Sequence, residues 1–395
     1  MSDNKKLYEQ SHPWLTFSLN LQNAPFNFWL LLGAAESKCK HLAGIPLSPQ
    51  KQDELNHISI VKGIQATTAI EGNTLAFDDI DKIVKGEKSN IPISYEYQKQ
   101  EVQNVLDAYN SITYHIQNAG ECDVSVEALK KDNSIILRDL KLEDGVIAGE
   151  IRTYPVHVKY YYGAPAEDCE YLLNRLFIWI HEEWGLNKIS ILIEGILKAI
   201  VSHLYIAWIH PFGDGNGRCA RALEFRLLLK SGVPLIAAHL LTTYYNETRQ
   251  LYYEKLEASS HENDDIGAIN FIHYALQGFV DALDKQINNI LKEQIRVTWK
   301  NYVHENCFGG KLTMALRRRR DLLLEISEFD RPVSVDDIRH RMSIALLKLY
   351  QGKVRALMRD LNYLENKEYL QLTNAGYEAN KEKIKAFLPF RLIIK

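Results

Sequence analysis

His210-Pro-Phe-Gly-Asp-Gly-Asn-Gly-Arg-Cys-Ala-Arg221 is the stretch on which the reading of this chain turns. It lies between two apolar segments of helical character. Ile196 to Ile209 runs up to it, and Pro211 ends that helix because proline lacks a backbone N–H and clashes with the preceding turn. Arg218 to Leu229 follows it. Gly213, Gly215 and Gly217 between two buried helices are costly, since glycine loses the most backbone entropy on folding. Such a loop is expected where something must approach the backbone closely. At a helix start, unpaired N–H groups and the positive dipole end make an anion site. Arg218 and Arg221, one turn apart, are expected to face the same way and to supply two fixed charges for phosphate oxygens. Asp214, the only carboxylate of the loop, suits magnesium, which takes one or two carboxylates beside phosphate oxygens. His210 at the entrance can take a proton from an incoming hydroxyl, and Asn216 is a helix cap or a phosphate donor.

Other phosphate and metal motifs fit less well. The glycine spacing is not Gly-x-Gly-x-x-Gly, and no Lys-Ser/Thr follows as a Walker A loop requires. Counted from Asp214, positions five and twelve of an EF-hand are Arg218 and Phe225, which are not ligands. There is no His-Glu-x-x-His zinc pair. A purely structural turn with a core histidine leaves the glycines, the acid and both arginines without a reason.

Outward from the loop, the chain is 395 residues long, 46% hydrophobic and 25% charged, with a net charge of −3. One core rarely exceeds roughly 250–300 residues, so two or three domains are expected. Apolar residues recur at helical spacing through most of the chain, and the fold class is mainly α. Residues 1–95 read as an N-terminal helical domain that closes at Ser89-Asn-Ile-Pro-Ile-Ser94. Residues 96–285 read as the core, with one segment of strand or hairpin character, Gly149-Glu-Ile-Arg-Thr-Tyr-Pro-Val-His-Val-Lys-Tyr-Tyr-Tyr-Gly163. Residues 286–395 read as a final unit behind a polar helix from about Ala282 to Tyr302. In it Arg317-Arg-Arg-Arg-Asp321 opens a helix, Ser334 caps a second, Leu346 to Asn362 forms a basic amphipathic third, and Tyr369 to Thr373 forms a strand. Three helices and a strand resemble a winged helix-turn-helix. Residues 311–395 hold 18 Lys+Arg against 11 Asp+Glu, a balance of +7 that leaves −10 on the other 310 residues. The tail can therefore approach an anionic partner such as nucleic acid.

Five scattered cysteines without a Cys-x-x-Cys pair argue against a disulfide framework and a cysteine zinc site. Met1-Ser-Asp-Asn-Lys-Lys6 is not followed by an apolar signal segment. The apolar stretch Ala24 to Ala35 is short of the ~20 residues that span a bilayer. A cytoplasmic protein with no membrane partner is expected.

A second segment, Thr67-Thr-Ala-Ile-Glu-Gly-Asn73, places Thr67 and Glu71 on one helix face and ends the helix at Gly72-Asn73. A carboxylate in the last turn of a helix faces the negative dipole end, so a cation is expected opposite Glu71.

The loop resembles the signature of the Fic family, His-x-Phe-x-Asp/Glu-Gly-Asn-Gly-Arg-x-x-Arg, at His210, Phe212, Asp214, Gly215, Asn216, Gly217, Arg218 and Arg221. The resemblance implies a helical core with a β-hairpin flap and transfer of AMP from ATP, with Mg2+, to a hydroxyl of a protein. His210 is then the base and Asp214 the metal ligand. Gly215, Asn216 and Gly217 hold the phosphates, Arg218 grips those on the leaving side, and Arg221 takes the γ-phosphate. Related Doc-type enzymes, which transfer phosphate, carry Lys-Arg where this chain has Gly217-Arg218, so AMP transfer is implied here. The segment 149–163 is similar to the flap that aligns a target protein by strand addition. In Tyr244-Tyr-Asn-Glu-Thr-Arg-Gln-Leu-Tyr-Tyr253, Asn246 and Glu247 match the turn of the element that walls the adenine pocket. The family's inhibitory motif Ser/Thr-x-x-x-Glu-Gly/Asn is matched by Thr67, Glu71 and Gly72, which implies that Glu71 pairs with Arg221 and blocks the γ-phosphate. The target, its Ser, Thr or Tyr, and a homo-oligomeric state are left open. The alternatives are an AMP-removing or bifunctional enzyme, in which Glu71 positions a water, and a DNA-binding regulator that acts through the tail.

Overall fold

A helix that is apolar on all sides has to be enclosed, and Ile191–Ile209 is. From Gly195 to Ile209 only Lys198 and Ala207 escape full burial. Among the described residues it is also the one helix long and apolar enough to cross a membrane, a composition its place in the core explains. Asn216–Lys230 packs along it, and the loop His210–Gly215 joins the two. Phe26–Gly44 covers the first of these helices. Glu96–Ala119 and Val126–Ile136 cover the second, held by a buried ion pair between Arg226 and Asp132 at 2.5 Å.

The computed structural model describes residues 6–88, 91–119, 124–158, 161–184, 190–260, 265–308 and 312–385. Two compact units divide between Gln286 and Ile287. The division expected near residue 95 does not separate units: Pro49–Ile70 packs on Glu96–Ala119 and on Leu240–Glu247 within the first one. Ser48 starts Pro49–Ile70 by accepting a hydrogen bond from Lys51 N at 3.3 Å, with Pro49 at the first helical position.

The expected strand segment forms a short antiparallel pair, His157–Val158 with Tyr161–Tyr162. Lys159 and Tyr160 lie outside the described residues. Ile151 bridges to Phe212, and Arg152 N donates to Pro211 O at 3.0 Å, so this segment is pinned to the loop.

Among its described residues the second unit holds the helices Met314–Ser327, Val335–Arg341, Ile344–Tyr350 and Val354–Asn366, followed by the hairpin Leu370–Thr373 and Gly376–Ala379 and the short helix Glu382–Lys385. Ser334 caps the second helix in a capping box with Asp337. Leu322, Leu323, Ile326, Leu357, Leu361 and Leu364 are its core. Three expectations are corrected here. The helix expected from about Ala282 begins at Ile266, because the apolar period runs back through Phe279, Ala275, Phe271 and Ile269. The helix expected from Leu346 to Asn362 is two, broken where Gly352 takes a φ of 69°. A second strand pairs with the expected one. The Arg317–Arg320 run is mostly internal: Arg318 and Arg319 donate to the fully buried Asp360 at 2.6 and 2.8 Å, and Arg320 pairs with Asp321.

Burial works against the charge of Asp360, but Arg318, Arg319 and the Tyr350 hydroxyl hold its carboxyl below the ordinary value. Its contribution is present above the unfolded carboxyl pKa and is lost as pH falls through the lowered one. Asp360→Ala leaves Tyr350 and two arginines without their acceptor. It should lower the stability of the second unit by about 1–3 kcal/mol in urea unfolding at neutral pH; an unchanged midpoint would refute that role.

Candidate functional site

The loop after His210 is built to stay open. Gly215 caps the helix Asn216–Lys230 with a φ of 78°, a left-handed conformation natural to glycine. The Asn216 side chain is buried and closes the bend on itself: its Oδ1 accepts from Phe212 N at 2.9 Å and its Nδ2 donates to Phe212 O at 2.8 Å. That amide therefore serves the loop, and only the backbone N–H of Asn216 remains for an anion. Asn133, fully buried, donates to Asp214 O at 2.9 Å and accepts from Gly149 N at 2.8 Å, which ties loop and flap to one point.

The loop lines a cavity of about 1080 Å³. Small-molecule pockets are roughly 300–1,000 Å³, so there is room for a nucleotide and an incoming side chain. His210, Asp214, Gly215, Asn216, Gly217, Arg221 and Glu71 all face it. Its opposite wall comes from the helix Arg249–Ala258 through Arg249, Tyr253 and Glu257, and its rim from Tyr154, Val156 and His157 of the flap.

Arg221 is almost completely buried. It donates Nη2 to Glu71 Oε1 at 2.5 Å and to Thr67 O at 3.1 Å, and Nε to Thr67 Oγ1 at 2.7 Å. Burial opposes its charge, yet the Glu71 carboxylate keeps the guanidinium firmly protonated. Burial would likewise raise the carboxyl of Glu71, but Arg221, with Arg218 and Arg249 nearby, holds it below the ordinary value. The expected cation opposite Glu71 is thus Arg221. Glu71 caps the helix Pro49–Ile70, and Gly72 turns the chain away with a φ of 102°. A Cβ on Gly217 would come within 2.5 Å of Glu71 Oε1, so glycine there lets the carboxylate lie against the loop.

Several expected site residues lie elsewhere. Arg218 does not line the cavity. It is buried behind the loop, donating to Glu101 Oε1 at 2.8 Å and to Asp214 Oδ1 at 3.1 Å. Three residues of helix advance about 300°, which leaves about 60° between Arg218 and Arg221. Carboxylates on two different helices draw them apart. Asn246 and Glu247 are also outside the lining. The helix Leu240–Glu247 runs through both and turns at Thr248, so the wall begins at Arg249. Thr67 and Gly72 are outside the lining as well: Thr67 accepts from Arg221, and Gly72 turns the chain after Glu71.

His210 has a φ of 53° and a ψ of 58°, a left-handed backbone that costs a non-glycine residue roughly 1 kcal/mol. Arg152, unremarkable in the sequence, holds it there. This buried arginine donates Nε to His210 O at 2.7 Å, Nη1 to Tyr154 O at 2.8 Å, and Nη2 to Ala164 O and Ile209 O at 2.5 and 3.3 Å. The His210 Nδ1 lies 3.3 Å from Ala207 O. A carbonyl can only accept, so Nδ1 carries the hydrogen and Nε2 keeps its lone pair. Burial first, and Arg152 after it, depress the imidazole pKa to about 4.

Among the described residues no group of three or more His, Cys, Asp or Glu could enclose a metal. Magnesium completed by phosphate oxygens does not need one. Asp214 fits that need: its side chain is 43% exposed, and Oδ1 takes both the Gly215 N–H and Arg218. Its Oδ2 accepts no hydrogen bond from the described residues.

Residues 123–228 match the Fic/DOC family. A protein adenylyltransferase fic-1 from Caenorhabditis elegans is 25% identical over 260 residues, 61% of this chain and 47% of that protein. A protein adenylyltransferase Fic from Nematostella vectensis is 25% identical over 252 residues, 64% of this chain and 55% of that one. The chain thus spans about half the length of these curated relatives. In fold it is similar to a Fic family protein from Desulfovibrio desulfuricans, with a TM-score of 0.52 at 20% identity over 88% of this chain and 91% of that one. It is also similar to Fic-1 of C. elegans, with a TM-score of 0.51 at 22% identity over 65% and 70%.

Proton NMR of the free protein should find His210 titrating near pH 4, below the ordinary imidazole value of 6.5. It is therefore neutral throughout the physiological range. Arg152→Gln should move that midpoint upward by removing a neighbouring positive charge. A wild-type midpoint at or above 6.5 would contradict the burial described.

Proposed function

We propose that this chain, which carries a Fic domain, is a protein adenylyltransferase that Glu71 holds in check. One observation carries the reading. A glycine loop with free helix-start N–H groups, a neutral histidine with a bare Nε2, and a buried arginine matched to a side-chain carboxylate all face one cavity. The helix-start N–H groups suit a triphosphate, and Arg221, one turn further along the helix, suits the terminal phosphate.

In the proposed reaction the hydroxyl oxygen of a target side chain attacks the α-phosphorus of ATP. His210 Nε2 takes the hydroxyl proton, the bond from the α-phosphorus to the bridging oxygen breaks, and pyrophosphate leaves. The product is a phosphodiester between AMP and the target. Magnesium, held by Asp214 and phosphate oxygens, would neutralise charge on the leaving group. Arg152 acts by position, since it fixes the backbone that aims His210, while the flap offers a strand edge to the target segment.

Glu71 and a γ-phosphate compete for the same guanidinium. A charge-assisted hydrogen bond is worth about 1.5–3 kcal/mol, so Glu71→Gly should raise transfer of α-labelled AMP to the protein itself or to a lysate roughly tenfold or more. His210→Ala in that background should lower it by about 10²–10⁴. Full-rate labelling without His210 would sink the mechanism. The same carboxylate, facing the cavity, is also placed to orient a water, which favours AMP removal as the second reading. A modified target that loses AMP only while Glu71 is intact would establish that direction.

A further inference from the structure

The +7 charge of the tail does not reside where the sequence concentrates it, since Arg318, Arg319 and Arg320 are spent on Asp360 and Asp321. A group of unpaired cations lies on another face. From Ser343 to Asn362 every exposed charged side chain is positive: Lys348, Lys353, Arg355 and Arg359. Among the described residues none of the four has an ion-pair partner. The single carboxylate of this stretch, Asp360, is fully buried and neutralised from inside. Acids on the neighbouring elements are also engaged. Glu325 accepts from Ser343 N and Oγ, Asp337 pairs with Arg331 and Arg341, and Asp336 pairs with His340.

Lys353, Arg355 and Arg359 sit at the start of one helix, and Lys348 lies on the helix before it. Val354–Asn366 follows Ile344–Tyr350 after a three-residue turn through Gly352, and it leads into the hairpin Leu370–Thr373 and Gly376–Ala379. Arg355 and Arg359 are four apart and Asn362 lies a further turn along the same side, all exposed. The opposite side of the helix, Leu357, Leu361 and Leu364, is consumed by the core. The helix is thus anchored on one side and presents two arginines and an amide on the other.

We propose that the face of Val354–Asn366, with Lys348 and Lys353 beside it, binds duplex DNA, the helix entering the major groove. Four unpaired positive charges against one half-buried acid of the same helix, Glu365, are the electrostatic complement of a phosphate backbone. An α-helix fits the major groove of B-form DNA, about 12 Å wide, whereas the major groove of duplex RNA is too narrow for it. Arginine and asparagine pointing outward from a helix preceded by a turn are the residue types that contact base edges and phosphates there. This inference does not depend on AMP transfer, because no group of the cavity takes part in it.

The test is fluorescence anisotropy of the full chain with a labelled random-sequence duplex of roughly 30 base pairs, about three helical turns. Binding is expected at about 50 mM salt and should weaken steeply towards about 200 mM. Arg355→Glu with Arg359→Glu should lower the affinity at least tenfold and flatten the log–log salt slope by about 2. Both residues are exposed, so an unchanged circular dichroism melt verifies that the variant folds. Lys131→Glu, an exposed charge reversal in the first unit, should have no effect. No binding at 50 mM salt, an equal loss in the Lys131 variant, or equal affinity for duplex RNA would each overturn the proposal.

Discussion

Arg221 cannot give up its proton and has almost no contact with solvent, so something negative has to sit against it. In this structure the negative group is Glu71. Much else follows from meeting that demand. Thr67 turns its hydroxyl and carbonyl to the same guanidinium, Gly72 ends the helix so that Glu71 is its last point, and Gly217 leaves out a side chain where the carboxylate lies. On the function proposed above, this partner is replaceable and the pair is a switch: whichever anion occupies Arg221 decides what the rest of the cavity can hold.

The loop itself is held still around that switch. Asn216 locks Phe212, Asn133 locks Asp214 to the flap, and Arg152 locks His210 through its carbonyl. Each uses a buried side chain to satisfy backbone groups that a tight bend leaves over. The consequence for chemistry is pre-organisation. The backbone N–H groups of the bend and the His210 imidazole stand in fixed positions, so the proposed reaction would need little reorganisation. Arg218 belongs to this supporting layer, tied to Glu101, and Asp214 alone links it to the cavity.

The legible parts of the sequence were those whose meaning is local. Two apolar helices, the bend between them, the Glu71 helix end and the Ser334 cap are each written within a few residues, and the structure has them there. What could not be read depends on partners distant in the chain. Arg152 is an ordinary residue of a strand-like segment until four carbonyls converge on it. Arg218 looks equivalent to Arg221 until Glu101, 117 residues away, claims it. Asn246 and Glu247 were displaced by one turn because a helix end at Thr248 is weakly marked. The arginine run of the tail misled for a related reason: local charge says nothing about a buried Asp360 some 40 residues on.

The claim at the centre is that Glu71 and a terminal phosphate exclude one another at Arg221. Calorimetric titration of the intact chain with ATP and ADP, each with magnesium, tests it most directly, before and after Glu71→Gly. The account expects the two nucleotides to bind alike while Glu71 holds the arginine, and ATP to gain at least about a tenfold preference once it is gone, the worth of one charge-assisted contact. An ATP-to-ADP preference that is the same in both proteins would contradict it.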